Sequence, residues 1–181
     1  MAQKERYIFK IIVAGDGFVG KTSLIYRLVH DKFIAEYLLT LGANFALWEY
    51  TKDNASITLQ LWDVAGQQYF RQVIPAYYEN AHGAVLVFSL VDPNSLMNLA
   101  IWAREIRKVA GDIPMIVIGN KYDLPRNIGE LTIKEFLNDI GIKSYFETSA
   151  KTGENVREAF TQLAELVYKN MSEKKITKTL K

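Results

Sequence analysis

The sequence predicts an α/β domain: a doubly wound, mostly parallel sheet of six strands, with one antiparallel edge strand and helices on both faces. Three observations carry this. Apolar runs of strand length alternate with segments of helical period. Ala84–Leu90 and Met115–Gly119 are apolar throughout, as parallel strands covered on both faces are. Ala43–Thr51 and Ser56–Asp63 are separated only by the turn Lys52-Asp53-Asn54-Ala55, so a hairpin supplies the antiparallel strand.

Taken in order, Tyr7–Ala14 is the first strand, and Leu24, Ile25, Leu28 and Val29 mark one face of the first helix. The hairpin and the strand Ala84–Leu90 follow. Leu96, Leu99, Ala100, Ala103 and Ile106 then stripe a helix that Ser95 is expected to cap and that Gly111 and Pro114 close. After Met115–Gly119, Thr132-Ile-Lys-Glu135 has capping-box spacing for a short helix. Tyr145–Glu147 is a brief strand, and Val156, Ala159, Phe160, Leu163, Ala164 and Val167 stripe the last helix. Residues 1–170 read as one domain. Residues 171–181 have little apolar content and read as a basic, disordered tail.

Composition narrows the function. With no cysteine, disulfides, thiolate metal sites and thiol catalysis are excluded. No apolar run reaches the roughly 18 residues of a membrane span, the start is too polar for a secretory signal, and Ala2 stands where myristoylation needs glycine. A cytoplasmic monomer is expected. From Lys169 onward five lysines and one glutamate carry +4, which leaves −2 on the body although the whole chain is +2. The basicity therefore sits in the tail and not on a nucleic-acid-binding face. The tail either keeps the end of the chain soluble, the reading favoured here, or touches anionic lipid weakly.

Gly15-Asp16-Gly17-Phe18-Val19-Gly20-Lys21-Thr22-Ser23 stands between the first strand and the first helix. It fits G-x-x-x-x-G-K-[ST], whose glycines let backbone N–H groups turn toward phosphate oxygens. The helix start adds its positive end. Lys21 suits the β- and γ-phosphates, and the Thr22 hydroxyl suits Mg²⁺. The alternative is a structural glycine turn. Alone, the motif says only nucleoside triphosphate, since kinases and ATPases share it.

Two later loops select the base. Asn120-Lys121-Tyr122-Asp123 follows a strand, at the edge where open sheets bind ligands. The Asp123 carboxylate can accept from the N1–H and amino group of guanine, whereas adenine offers an acceptor and a C–H there. The Lys121 stem can lie along the ring. Glu147-Thr-Ser-Ala-Lys151 follows the next strand. There Ala150 can offer its N–H to the guanine oxygen, Ser149 can brace the loop and Lys151 can flank the base. Phe33 is either a cover for the ring edge or, more commonly for such a residue, core.

Trp62-Asp63-Val64-Ala65-Gly66-Gln67 ends the hairpin. Asp63 at the strand tip can hold Mg²⁺ through water, Gly66 can bring an N–H to the γ-phosphate, and Gln67 can orient an attacking water. The Thr40 hydroxyl, upstream in a loop, can complete the metal shell. Taken singly, Thr40 and Gln67 are ordinary loop residues; their order and spacing after Gly15–Thr22 give them weight.

In that order these motifs resemble the Ras superfamily of small GTPases from Tyr7 to about Asn170, and the Rab branch most in Leu41-Gly42-Ala43-Asn44-Phe45, Leu59-Gln60-Leu61-Trp62-Asp63 and Tyr77-Tyr78. The resemblance implies a P-loop G domain that binds GTP or GDP with Mg²⁺ and slowly hydrolyses GTP. It implies Lys21 and Gln67 as catalytic residues and Tyr37 as a further nucleotide contact. It also implies effector, exchange-factor and GTPase-activating partners, and a part in signalling and vesicle traffic. Phe45, Trp62 and Tyr77 are either plain core or an aromatic patch that meets effectors.

Several positions depart from the Rab pattern. Gln68-Tyr69 stands for Glu-Arg, Glu79-Asn80 for Arg-Gly and Ser89 for Asp, while Gly17 is Ras-like. The prenyl anchor of the family is not expected on a chain without cysteine. No arginine lies between Asp31 and Tyr50, so slow turnover is expected until a partner supplies one, an effect of roughly 10³–10⁵ in rate. Two other readings stand beside this one: a nucleotide-locked module that never cycles, and a P-loop kinase or ATPase.

Overall fold

In the computed structural model, residues 5–33, 40, 42–66 and 74–179 are described, with side chains as far as Lys174. Strand β1 (Glu5–Ala14) feeds α1 (Lys21–His30). The hairpin is β2 (Ala43–Lys52) and β3 (Ala55–Val64), followed by a one-turn helix α2 (Pro75–Tyr78) and β4 (Gly83–Ser89). Then come α3 (Pro93–Met97), α4 (Leu99–Ala110), β5 (Met115–Asn120), α5 (Glu130–Asp139), β6 (Ser144–Glu147) and α6 (Val156–Thr179).

Among the described residues the sheet has six strands in the order β2-β3-β1-β4-β5-β6. Of these, only β2 and β3 pair antiparallel, from Ala43 opposite Val64 to Lys52 opposite Ala55; the other pairs are parallel. This is the expected fold, edge hairpin included. Because β1 lies between β3 and β4, successive crossovers leave it in opposite directions, and a crevice opens beyond its carboxyl end.

Strand alternation divides the core in two. Phe9, Ile11 and Val13 of β1 face a cluster completed by α1 and α6, with Leu24, Leu28, Phe160 and Leu163. Ile12 and Ala14 face the other cluster, built from α3, α4 and α5 with Leu96, Trp102, Ile106 and Phe136. β4 and β5 are buried along their whole length, as their unbroken apolar runs require.

Three local expectations are corrected. Asp92, not Ser95, caps α3: its side chain accepts from the Asn94 N–H at 3.1 Å. Ser95 is buried one turn in, donating to the Asp92 carbonyl at 2.6 Å and accepting from the Ser89 N–H at 3.0 Å. The single helical stripe divides at Asn98, which ends α3 and starts α4. α5 begins at Glu130 after Gly129, so Thr132 lies within the helix and no capping box forms.

At the C-terminal end, α6 continues past Asn170 to Thr179. Tyr168 packs edge-on against Tyr7 at 5.1 Å, and Met171 lies against the first core cluster, which anchors the helix near that point. Beyond it, Glu and Lys are good helix formers, and Lys169 pairs with Glu173 one turn on at 4.0 Å. No helix among the described residues is long and apolar enough to cross a membrane.

Candidate nucleotide-binding site

The loop from Gly15 to Gly20 closes over the end of β1. Gly15 sits at φ +144°, and a Cβ there would lie 2.1 Å from the Val87 carbonyl oxygen, so no other residue fits. Gly20 at φ +96° opens α1. Val19 turns its side chain into the core and its carbonyl toward Asn120. Phe18 takes the left-handed region at φ 65° with its ring mostly exposed. Gly17 and Ser23 are half-buried on either side of these turns.

Lys21 begins α1 and folds back beneath the loop. Its Nζ donates to the carbonyls of Gly15 at 2.9 Å and Asp16 at 2.8 Å. The side chain is 6 % exposed. Burial pushes its pKa down to about 8, against the opposing pull of Asp63 and Asp16.

Next to it lies a cluster of hard oxygens. Thr22 Oγ1 donates to Asp63 Oδ2 at 2.5 Å, Thr40 Oγ1 is 3.3 Å from the same oxygen, and the two hydroxyls stand 3.0 Å apart. Asp63 Oδ1 is buried with no hydrogen-bond partner among the described residues. Burial raises the pKa of this carboxyl, and the Thr22 hydrogen bond is the strongest of the effects that oppose it. Oxygens bound to an octahedral Mg²⁺ at ~2.1 Å stand ~3.0 Å apart along its edges. The Thr22 and Thr40 hydroxyls stand at that spacing, Asp63 lies within hydrogen-bond reach of both, as a carboxylate that holds the metal through water would, and one carboxylate oxygen has no partner among the described residues. The residues fit the metal.

Asn120 at the tip of β5 ties the crevice together. Its Nδ2 donates to the Val19 carbonyl at 2.9 Å, while its Oδ1 accepts from Thr148 Oγ1 at 3.2 Å and from the Ala150 N–H at 3.1 Å. The Ala150 N–H expected to face a base oxygen thus has a protein partner here. Lys121 adopts φ 69° and turns the chain so that exposed Asp123 meets Ser149, whose hydroxyl donates to Asp123 Oδ1 at 2.6 Å. Ser149 also accepts from the Thr152 N–H at 3.1 Å. Lys151 is exposed at the rim, and Phe33 is 42 % exposed, so it is not core.

Gly66 lies directly on the phosphate loop: a Cβ there would fall 2.3 Å from the Asp16 carbonyl carbon and 2.4 Å from Gly17 N. Gln67 and Tyr37 lie outside the described residues, as do Gln68 and Tyr69.

The chain matches the Ras family over residues 10–169. It is 37% identical over 169 residues to "GTP-binding protein YPTM2" of Zea mays, a match covering 92% of this chain and 83% of that protein. It is likewise 37% identical over 169 residues, with the same coverage, to "Ras-related protein RABD2a" of Arabidopsis thaliana.

The chain belongs to the Ras family.

It is a Rab-like member, and with the family come guanine-nucleotide binding with Mg²⁺, GTP hydrolysis and switching between nucleotide states. In this Ras-family chain the aromatic trio runs from the surface to the core: Trp62 and Tyr77 are partly buried, and Trp62 packs against the second core cluster. Phe45 is 52 % exposed and stacks edge-on with Trp62 at 5.7 Å, and Trp62 lies 6.0 Å from Tyr77. Lys10 Nζ sits 4.6 Å over the Trp62 ring.

Sequence reasoning missed two arginines. Arg27 of α1 donates from Nε to the Ala150 carbonyl at 2.9 Å and from Nη2 to the Lys151 carbonyl at 2.5 Å. It fastens the base-side loop to the helix that carries Lys21 and Thr22. Arg126 pairs with Glu147 at 2.5 Å, and Tyr145 donates to the other oxygen of Glu147 at 3.0 Å. Neither arginine belongs to a motif. For Arg27 the one available signal was a long cation on a helix face next to a phosphate loop, which usually means solvent; Arg126 lies in the loop between β5 and α5.

Proposed function

We propose that this Ras-family switch uses one crevice, at the carboxyl edge of β1, β3, β5 and β6, to hold guanosine di- or triphosphate. The observation that carries the assignment is the oxygen cluster of Thr22, Thr40 and Asp63 beneath the glycine loop, in one crevice with an exposed carboxylate, Asp123, steadied by Ser149. The backbone from Gly15 to Gly20 and Lys21 hold the phosphates, and Ser23 lies behind them at the helix start. Phosphate oxygens are stronger partners for an ammonium than the two carbonyls that now satisfy Lys21. Thr22, Thr40 and Asp63 hold Mg²⁺, which when bound offsets charge on the β- and γ-phosphates.

On the base side, Asp123 accepts from the N1–H and amino group of guanine. The Ala150 N–H turns from Asn120 to the base oxygen, or is shared between them. Lys121 and Lys151 flank the ring, Phe33 covers its edge, and Tyr37 adds a contact from the segment that precedes Thr40. Gln67 orients the water that attacks the γ-phosphate, and Gly66 meets that phosphate through its N–H. The segments around Thr40 and Gln67 are ordered by the γ-phosphate and released on hydrolysis. Activating, exchange and effector proteins read those segments and the Phe45–Trp62–Tyr77 patch. The chain acts as a cytoplasmic monomer.

Denaturing the purified protein should release GDP or GTP, identifiable by chromatography and mass. Single-turnover phosphate release should be slow, and slower still in Gln67→Leu. If ATP displaces bound GDP as well as GTP does, the base assignment is wrong. If Gln67→Leu turns over at the wild-type rate, the assignment of the attacking water is wrong.

A further inference from the structure

Asp16 is the second residue of the phosphate loop, and both its carboxylate oxygens are engaged from α4. Asn98 Nδ2 donates to Oδ2 at 2.6 Å, and Trp102 Nε1 donates to Oδ1 at 2.9 Å. The main chain of the same residue is engaged as well. Its carbonyl accepts from Lys21 Nζ at 2.8 Å, and Gly66 packs so closely on that carbonyl that a Cβ there would lie 2.5 Å from the oxygen. One loop residue is thus touched by the α3–α4 corner, by the phosphate lysine, and by Gly66 just after β3.

A carboxylate in a loop that holds phosphates repels them unless it is turned away and its charge is met elsewhere. The two donors on α4 do both. Trp102 is fully buried in the second core cluster with Leu99, Ala103 and Ile106, so its indole N–H cannot follow a moving loop without moving the helix. A buried indole N–H in turn needs an acceptor. Asn98 is equally constrained as the residue joining α3 to α4.

We propose that Asp16 is a positioning residue for the phosphate loop, that Asn98 and Trp102 of the α3–α4 corner fix it, and that the Trp102 indole N–H senses the state of the loop. The inference rests on the nucleotide-binding reading above. It adds a connection between the loop and a helix that contributes no group to the crevice itself.

The test has two parts. The chain holds three tryptophans, so a ¹H–¹⁵N spectrum of the GDP-loaded protein shows three indole resonances, and Trp102→Phe identifies one by its loss. That resonance should move in Asp16→Asn and again when GDP is replaced by a non-hydrolysable GTP analogue. In the second part, release of a fluorescent GDP is timed. Trp102→Phe and Asn98→Ala each remove one hydrogen bond to a charged group and should release GDP about tenfold faster. In an Asp16→Ala background, adding Trp102→Phe should change release by less than about twofold, because the shared contact is already gone. Asp16→Asn keeps one acceptor and should fall between wild type and Asp16→Ala.

Wild-type release rates in both single variants would overturn the proposal. So would an acceleration by Trp102→Phe that persists in the Asp16→Ala background, since that assigns the effect to core packing. Wild-type protein with no affinity for guanosine nucleotides would instead overturn the preceding section. An Asp16→Asn variant whose Trp102 resonance is unmoved would overturn the contact itself, so the two failures are read separately.

Discussion

Asn120 and Asp123 are three residues apart in one loop, yet their substitution should have opposite signatures. Asn120 is 2 % exposed and holds three partners: the Val19 carbonyl, the Thr148 hydroxyl and the Ala150 N–H. Asn120→Ala removes all three contacts. The Thr148 hydroxyl can rotate toward another acceptor, but the carbonyl and the N–H cannot. Two buried polar groups left unpaired at about 1–3 kcal/mol each suggest a loss of about 3 kcal/mol. For a domain of this size that is a fall in Tm of about 6–12 °C.

Asp123 is exposed and touches Ser149, so Asp123→Ala should lower Tm by no more than about 2 °C. Both variants should release GDP much faster than wild type. Bound nucleotide itself stabilises the folded state by mass action, so the comparison belongs in protein stripped of nucleotide with EDTA. Differential scanning calorimetry gives the stability and fluorescent GDP release gives the binding. If stripped Asn120→Ala melts within about 2 °C of wild type, or Asp123→Ala melts as low as Asn120→Ala, the division between bracing and reading residues is refuted.

Three further outcomes are expected. Asp123→Asn replaces an acceptor with a donor and should shift preference from GDP toward xanthosine diphosphate, measured by competition; unchanged guanine selectivity removes Asp123 from base reading. Lys21, with its pKa lowered to about 8 from 10.5 in the folded chain, holds a proton less tightly there than when unfolded. Its burial therefore weakens the nucleotide-free fold fully below about pH 8, and that penalty lifts as pH rises from about 8 to 10.5, so stripped protein should gain stability across that window in chemical denaturation. Since phosphate favours the charged ammonium, GDP binding just above pH 8 should take up a proton, seen as a buffer-dependent enthalpy in titration calorimetry. Finally, Arg27→Ala frees the carbonyls of Ala150 and Lys151 and should speed GDP release about tenfold, with Arg27→Lys recovering part of the loss; equal rates in all three proteins refute the link between α1 and the base-side loop.

Much of this molecule was legible in the chain because its signals are local. Strand boundaries in β4 and β5 follow from runs of β-branched and apolar residues that no exposed segment carries. The hairpin follows from a short polar turn between two such runs. Gly15 and Gly20 announce a loop whose backbone angles other residues avoid. Where local signals competed, the reading slipped. Ser95, Thr132 and Glu135 carried capping chemistry, but the nearby Asp92-Pro93 and Gly129-Glu130 supplied better starts for α3 and α5, and tertiary packing placed Ser95 inside. At the C-terminal end, α6 is anchored by Tyr168 and Met171 and continues to Thr179.

By itself, then, the order of residues determined the strand–helix alternation, the phosphate loop, and the two carboxyl-edge loops with the chemistry suited to guanine. These depend on side-chain type and spacing within a few residues. Only the tertiary structure decided that Thr22, Thr40 and Asp63 meet within hydrogen-bonding distance, that Asn120 braces both loops, that Arg27 reaches 123 residues along the chain to Ala150, and that α4 grips Asp16. The reason is physical. Each of these contacts joins groups far apart in sequence, brought within about 3 Å by the sheet order and by cores that bury residues such as Trp102, and no periodicity in the chain encodes such a distance.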